Sequence, residues 1–208
     1  MARPTTAKLD QARIRAAALA LVDAEGLEGL SMRRLATALD VSAASLYFHY
    51  ATKDELLEAV AADILAKVDT SAFSSGWEPG VRAWARSLRA ALAAHPRLVP
   101  VLSHAPGRRA DALQRADDIQ GGLVAAGWPP REATMIGAAA KYLVFGAALG
   151  SFAEGFAADP EVYADRYPHL GQAHRLAARA AEVDRESFDF ALEQLIAGLR
   201  ARYAREMS

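Results

Sequence analysis

The chain has 208 residues, 52% of them apolar and 24% charged, with a formal net charge of −1 and no cysteine. That length is enough to bury a sizeable core in one or two domains, and that composition belongs to a globular protein rather than a disordered one. Near-neutral charge argues against a sequence-blind electrostatic grip on a polyanion, and the missing cysteines exclude disulfides and thiolate metal sites.

Residues 1–9 read as a polar arm; MARPTTAKLD has no apolar core of the kind a signal peptide needs, so a cytoplasmic location is expected. Asp10 is positioned to cap a first helix, in which Ile14, Ala17, Ala18, Leu21 and Val22 recur at helical spacing until Gly26 stops it. Ser31 caps a second helix over 32–39, with Leu35, Ala36 and Leu39 inward and Arg33 and Arg34 outward. Asp40-Val41 makes a tight turn, and Ser42 caps a third helix over 43–49. There Leu46 is the strongly apolar inward residue, leaving Ala43, Ala44, Ser45, Tyr47, Phe48 and His49 outside. Thr52 and Glu55 form a capping box that starts a fourth helix over 53–69.

Two short helices across a tight turn, the second carrying exposed aromatic and hydroxyl groups, have the layout of a helix-turn-helix, here over 31–50. Such a unit offers its second helix to the DNA major groove. Residues 1–53 hold seven Lys and Arg against five Asp and Glu, a modest excess that suits site-specific binding by a dimer.

The stretch 70–80, with three Ser, two Gly and a Pro, reads as a loop and the domain boundary. Helical patterns follow over 81–94, 97–103, 109–126, 131–156 and 185–205, and 157–171, with Pro160 and Pro168, reads as a connector with a short helix after it. No run alternates with period two, so the expected fold is all-α. Residues 133–153 contain a single charge, Lys141, and could be mistaken for a membrane span. A mid-span Lys, the lack of flanking basic clusters and the dominance of Ala and Gly favour a buried helix in a soluble bundle. Gly137, Gly146, Ala147 and Gly150 would let another helix approach closely. Phe188, Leu192, Leu195, Ile196 and Leu199 form a stripe on helix 185–205, which would pair with 131–156 and its symmetry mate as a four-helix dimer interface. Gly146, Gly150, Leu192, Leu195 and Leu199 are the candidate interface residues.

The elements LSMRRLA (30–36), Val41-Ser42, Leu46-Tyr47 with His49, and Lys53 with Leu56-Leu57 together resemble the DNA-binding domain of the TetR family of repressors, over residues 10–68. The resemblance implies that Ser42, Ala43, Ala44, Ser45, Tyr47 and His49 meet the groove, that Arg33 reaches a base or phosphate, and that Lys53 grips the DNA backbone. Asp40 stands where the family usually has Gly. Looser matches, among them His95-Pro96, Ala126-Gly127-Trp128, Phe145-Gly146 and Tyr167-Pro168, extend the resemblance to the Tet-repressor-like subgroup. They imply a ligand-binding and dimerisation domain over 77–208, behind a DNA-binding domain over 10–69. Trp84, Leu88, Leu102, Ile119, Leu123 and Tyr142 are core residues on the plain reading and pocket lining on the family reading. His104, in the helix interruption SHAPGRR, is the polar candidate. Such a lining favours a hydrophobic or aromatic ligand, oriented by His104 or the Tyr142 hydroxyl. Asp69 falls where the resemblance would put a drug-contacting His, which disfavours tetracycline itself.

The expected protein is thus a homodimeric repressor of a palindromic double-stranded DNA operator, released by a small-molecule inducer. No catalytic fingerprint, cofactor motif or metal-ligand spacing is present: GxSxG, HExxH and GxxxxGK are absent, and His169 and His174 are off one helical face. The alternatives are a ligand-independent DNA-binding protein, which a closed, well-packed second domain would favour, and a helical enzyme without a recognisable motif.

Overall fold

Capping side chains decide where the first four helices begin. In the computed structural model, which describes residues 9–103, 110–164 and 166–206, α1 (Gln11–Glu25) starts at Asp10, whose carboxylate accepts the Arg13 amide at 2.8 Å. Ser31 accepts from the Arg34 amide at 3.2 Å at the head of α2 (Met32–Leu39), and Ser42 from the Ser45 amide at 3.2 Å at the head of α3 (Ala43–Tyr47). Thr52 accepts the Glu55 amide at 3.1 Å to open α4 (Lys53–Leu65), while the Glu55 carboxylate reaches back to the Ala51 amide at 2.7 Å. Each cap satisfies donors that a first turn leaves without intrahelical partners. Asp40 closes α2 at φ 55° and ψ 48°, a left-handed conformation that a short polar side chain tolerates without a glycine. α1 packs on α2 and α4, and Ile14, Leu35, Leu46 and Leu56 are fully buried in the resulting core.

The remaining helices are α5 (Trp77–Ala94), α6 (Val99–Leu102), α7 (Ala110–Ala125), α8 (Pro130–Ala148) and α9 (Ala180–Glu206). α5 packs against α4, α7, α8 and α9. The expected loop over 70–80 is instead a 3₁₀ turn over Ser71–Ser75 followed by the first turn of α5, where Pro79 lacks only an amide that the helix start does not need. Phe73 of that turn fills notches in two helices. A Cβ at Gly80 of α5 would come within 2.3 Å of its ring, and one at Gly122 of α7 within 2.6 Å of its Cβ. The Ser, Gly and Pro content of this stretch therefore reflects close packing as much as chain reversal.

Other boundaries also move. α3 ends at Tyr47 and α4 at Leu65, earlier than expected, while α9 begins five residues before 185. α8 stops at Ala148 rather than 156, and short 3₁₀ turns between Ala153 and Arg179 carry the chain to α9. Phe188, Leu192 and Ile196 of α9 are buried, and charged residues stitch α9 to α5: Arg82 to Glu193 through two bonds of 2.8 and 2.9 Å, Arg86 to Asp189 at 3.1 Å, and Arg200 to Glu78 at 2.8 Å. Trp77, Trp128 and Tyr203 form an aromatic cluster at one end, with ring centroids 5.2–5.8 Å apart. Among the described residues there is no strand, and no helix is long and apolar enough to cross a membrane.

Candidate functional site

The outer face of α3 comes first in the chain. Leu46 is fully buried and anchors the helix, while Tyr47 is 53% and Phe48 88% exposed. His49 stacks edge-on against Phe48, centroids 5.5 Å apart. Ser42 and Ala44 are exposed; Ser45 is half-buried, its hydroxyl 2.8 Å from that of Ser42. Ala43 is turned partly inward and packs against the core, which weakens its candidacy for a groove contact. The two arginines of α2 separate. Arg34 donates to the Gly29 carbonyl at 2.9 Å and pairs with Glu25 at 2.5 Å, whereas Arg33 is exposed and has no ion pair among the described residues. Lys53 donates to the Leu27 carbonyl at 2.8 Å, so in the free protein it ties α4 to the turn after α1. An ammonium carries three donors, which leaves this one capacity for a phosphate as well. Phe48 lies outside, as the filled inward slot at Leu46 leads one to expect, although the sequence assigns it no DNA contact.

The second feature is a cavity of about 350 Å³ between α4, α5, α6, α7 and α8. Of the seven sequence candidates, Trp84, Leu88, Leu102 and Ile119 line it. Leu123 does not; it is fully buried one turn along α7, in the core. Tyr142 does not either, and its assignment is corrected: it is turned about 100° round α8 from Lys141 and is 75% exposed, because Lys141 and Phe145 are the residues that the helix turns inward here. His104 lies outside the described residues, as do residues 1–8 of the arm. The sequence reading missed the polar wall (Arg115, Gln120, Thr134 and Lys141) and the contribution of Leu65 and Val68 from the end of α4 and just beyond. Gly137 also faces the cavity, and a Cβ there would meet open space.

The third feature is the outer face of α8 and α9. Tyr142, Leu149, Phe152 and Phe190 are large apolar side chains left exposed, beside a groove that includes Gly146 and Gly150. No atom approaches a Cβ built at Gly146 or Gly150 within 4 Å, so neither glycine serves a helix contact inside the protomer. Leu192 is corrected: it is fully buried in the protomer's own core and has no surface to offer a second chain. Leu195 and Leu199 are half-buried against the same core. Among the described residues, no three His, Cys, Asp or Glu side chains gather as a metal site.

Comparison with known proteins adds to this geometry. The family described as bacterial regulatory proteins, tetR family, matches residues 14–60, and the one described as tetracyclin repressor-like, C-terminal domain, matches residues 73–203. The chain is 34% identical over 139 residues to an HTH-type transcriptional regulator of Saccharopolyspora erythraea, a stretch covering 66% of this chain and 59% of that protein's length. It is 32% identical over 194 residues to tetracycline repressor protein class E of Escherichia coli, covering 89% of this chain and 88% of the relative. Among solved structures, the Streptomyces coelicolor TetR family protein ActR in complex with actinorhodin is similar at a TM-score of 0.71 and 30% identity, over 94% of this chain and 98% of that one.

Proposed function

The chain belongs to the tetR family of bacterial regulatory proteins, and on that premise we propose that it is a homodimeric repressor that binds a palindromic operator through α3 and leaves it when a small apolar or aromatic molecule enters the cavity. DNA reading is assigned to residues 10–69, with 1–9 as an arm, and ligand binding and dimerisation to 77–208. The family consists of transcriptional regulators, and no residue is given a catalytic role.

The observation that carries this reading is the reach of α4. Its first residue, Lys53, bonds the Leu27 carbonyl beside the reading unit; its last, Leu65, lies on the cavity wall, with Val68 just beyond. One helix thus touches both sites. The His95–Asp23 pair, 2.9 Å apart, holds the end of α1 to the end of α5. Two copies of α3 must stand about 34–36 Å apart to enter successive major grooves. A molecule that fits the cavity better when α4 is displaced pulls the dimer away from that spacing, by no more than its differential affinity for the two arrangements. The exposed apolar face of α8 and α9 supports dimerisation there, since soluble monomers seldom leave such a patch open. A regulator without an effector has no use for a cavity of this size, which counts against the ligand-independent alternative.

Selection from a random duplex pool, followed by sedimentation of the complex, tests the reading. It expects an inverted repeat occupied by a dimer. No enrichment, or a single half-site held by a monomer, overturns it.

A further inference from the structure

Of the charged groups on the cavity wall, Lys141 is the one without a counter-ion. Its ammonium lies over the ring of Phe145, one turn along α8, at 5.4 Å from the centroid, and it has no carboxylate partner among the described residues. No Asp or Glu is among the described residues that line the cavity. Arg115 adds a second positive charge, balanced in part by Asp111 at 3.6 Å. The neutral polar groups are largely committed. The Gln120 amide nitrogen donates to the Pro130 carbonyl at 2.9 Å and to the Thr134 hydroxyl at 2.8 Å, and Thr134 donates to the same carbonyl at 3.0 Å. What this wall has left to offer is the Lys141 ammonium, the remaining donors of Arg115, the Thr70 hydroxyl and the Gln120 carbonyl as an acceptor, and of these Lys141 carries the positive charge that no carboxylate balances among the described residues.

A lysine that only packs its stem on apolar surface carries its head out to water. This one keeps its head over an aromatic ring on the wall of a mostly apolar chamber. Burial there pushes the Lys141 pKa below its usual range, because the charged form loses hydration that no carboxylate among the described residues replaces. An oxyanion would replace it, and a charge-assisted bond in a partly dry site is stronger than a neutral one.

Resting on the reading of this cavity as the effector site, we propose that its ligand is an amphiphilic anion, with a flat apolar body in the roughly 350 Å³ chamber and one carboxylate or equivalent oxyanion set against Lys141. The apolar wall selects the body and Lys141 selects the charge. Neutral molecules of the same shape bind less well.

The test uses the full-length dimer and two fluorescent probes of one shape, anthracene-2-carboxylate and anthracene-2-carboxamide, titrated without DNA. Wild type is expected to bind the carboxylate at least about tenfold more tightly than the carboxamide. Lys141→Met abolishes that preference and Lys141→Arg keeps most of it, with melting curves showing that each variant folds. Gly137→Phe, which fills the chamber, loses both probes. Equal affinity for the two probes, failure of both to bind wild type, a preference that survives Lys141→Met, or carboxylate binding unaffected by Gly137→Phe overturns the inference. Release from a selected operator duplex is scored separately. Charge-selective binding in the chamber without release leaves the Lys141 inference standing and removes the regulatory reading of the cavity.

Discussion

On α3, neighbouring residues have opposite tasks: Leu46 is fully buried, and Tyr47 and Phe48 face outward. That division was legible in the sequence, because one strongly apolar residue fills the inward slot of so short a helix. The cavity wall was not legible in the same way. Periodicity placed an apolar stripe on the helix around Tyr142 but not its phase, and a shift of one residue exchanges Tyr142 for Lys141 as the inward group. Three substitutions separate the roles of the reading unit. Tyr47→Ala should cost about 1–3 kcal/mol of operator binding, mainly at the cognate site. Arg33→Ala should lower the slope of log affinity against log salt by roughly one, without changing the melting temperature. Lys53→Ala should do the same to the slope and also lower the melting temperature by roughly 2–4 °C, because the Leu27 carbonyl loses the shorter of its two hydrogen bonds and keeps only the Leu30 amide at 3.3 Å. Binding titrations at several salt concentrations beside thermal melts check all three; an unchanged slope for Lys53→Ala makes that residue a structural tie alone.

Helix starts in the first domain followed their caps, since Asp10, Ser31, Ser42 and Thr52 bond nearby amides, and such local chemistry is written in the sequence. The Phe73 turn was hidden because its cause is distant: Gly122 lies on another helix, and nothing local marks it as a socket. An alanine normally stabilises a helix relative to glycine by about 0.5–1 kcal/mol. Here Gly80→Ala, whose added Cβ would meet the ring atoms of Phe73, should destabilise by about 1–3 kcal/mol in denaturant unfolding, and should become stabilising when Phe73→Ala removes that ring. A stabilising single substitution contradicts the packing described. The seam between α5 and α9 makes a prediction in acid. Hydrogen bonds from Arg82 and Arg200 hold Glu193 and Glu78 respectively below the usual carboxylate range. Their stabilisation is therefore complete above an unfolded value of about 4.3 and is lost as pH falls through the lower folded values. These pairs are largely exposed, so solvent screening keeps their contributions small. Arg82→Met should flatten the fall in stability between about pH 5 and pH 3; an undiminished fall means that Glu193 does not contribute to it.

At the scale of the whole molecule, the all-α character was readable from periodicity and caps, the proposed division of labour rests on the resemblance to the tetR family, and the proposed interface between protomers was marked only in part. The glycines Gly146 and Gly150 were visible, but Leu192 proved to be core, since a stripe on a helix does not say which chain it packs against. The exposed apolar side chains Tyr142, Leu149, Phe152 and Phe190 mark the proposed interface better than Leu192 does. Tyr142→Glu should split the dimer in sedimentation and weaken operator binding by roughly 10²–10⁴-fold, the avidity lost when two half-sites are no longer linked; a dimeric variant with full affinity contradicts the assignment. The central claim is that occupancy of the cavity moves the two reading helices through α4. Because the chain has no cysteine, Ala38→Cys places a single spin label on the exposed side of α2 beside each α3, away from the groove-facing residues, and pulsed electron resonance then reads the separation of the two reading units in the dimer. Saturating the cavity with anthracene-2-carboxylate should shift that separation by several ångström from its operator-bound value of about one DNA turn, 34–36 Å adjusted for the labels' offset from α3, and the shift should vanish when Gly137→Phe fills the chamber. An unchanged separation at saturation, or an equal shift in the filled variant, would contradict the account.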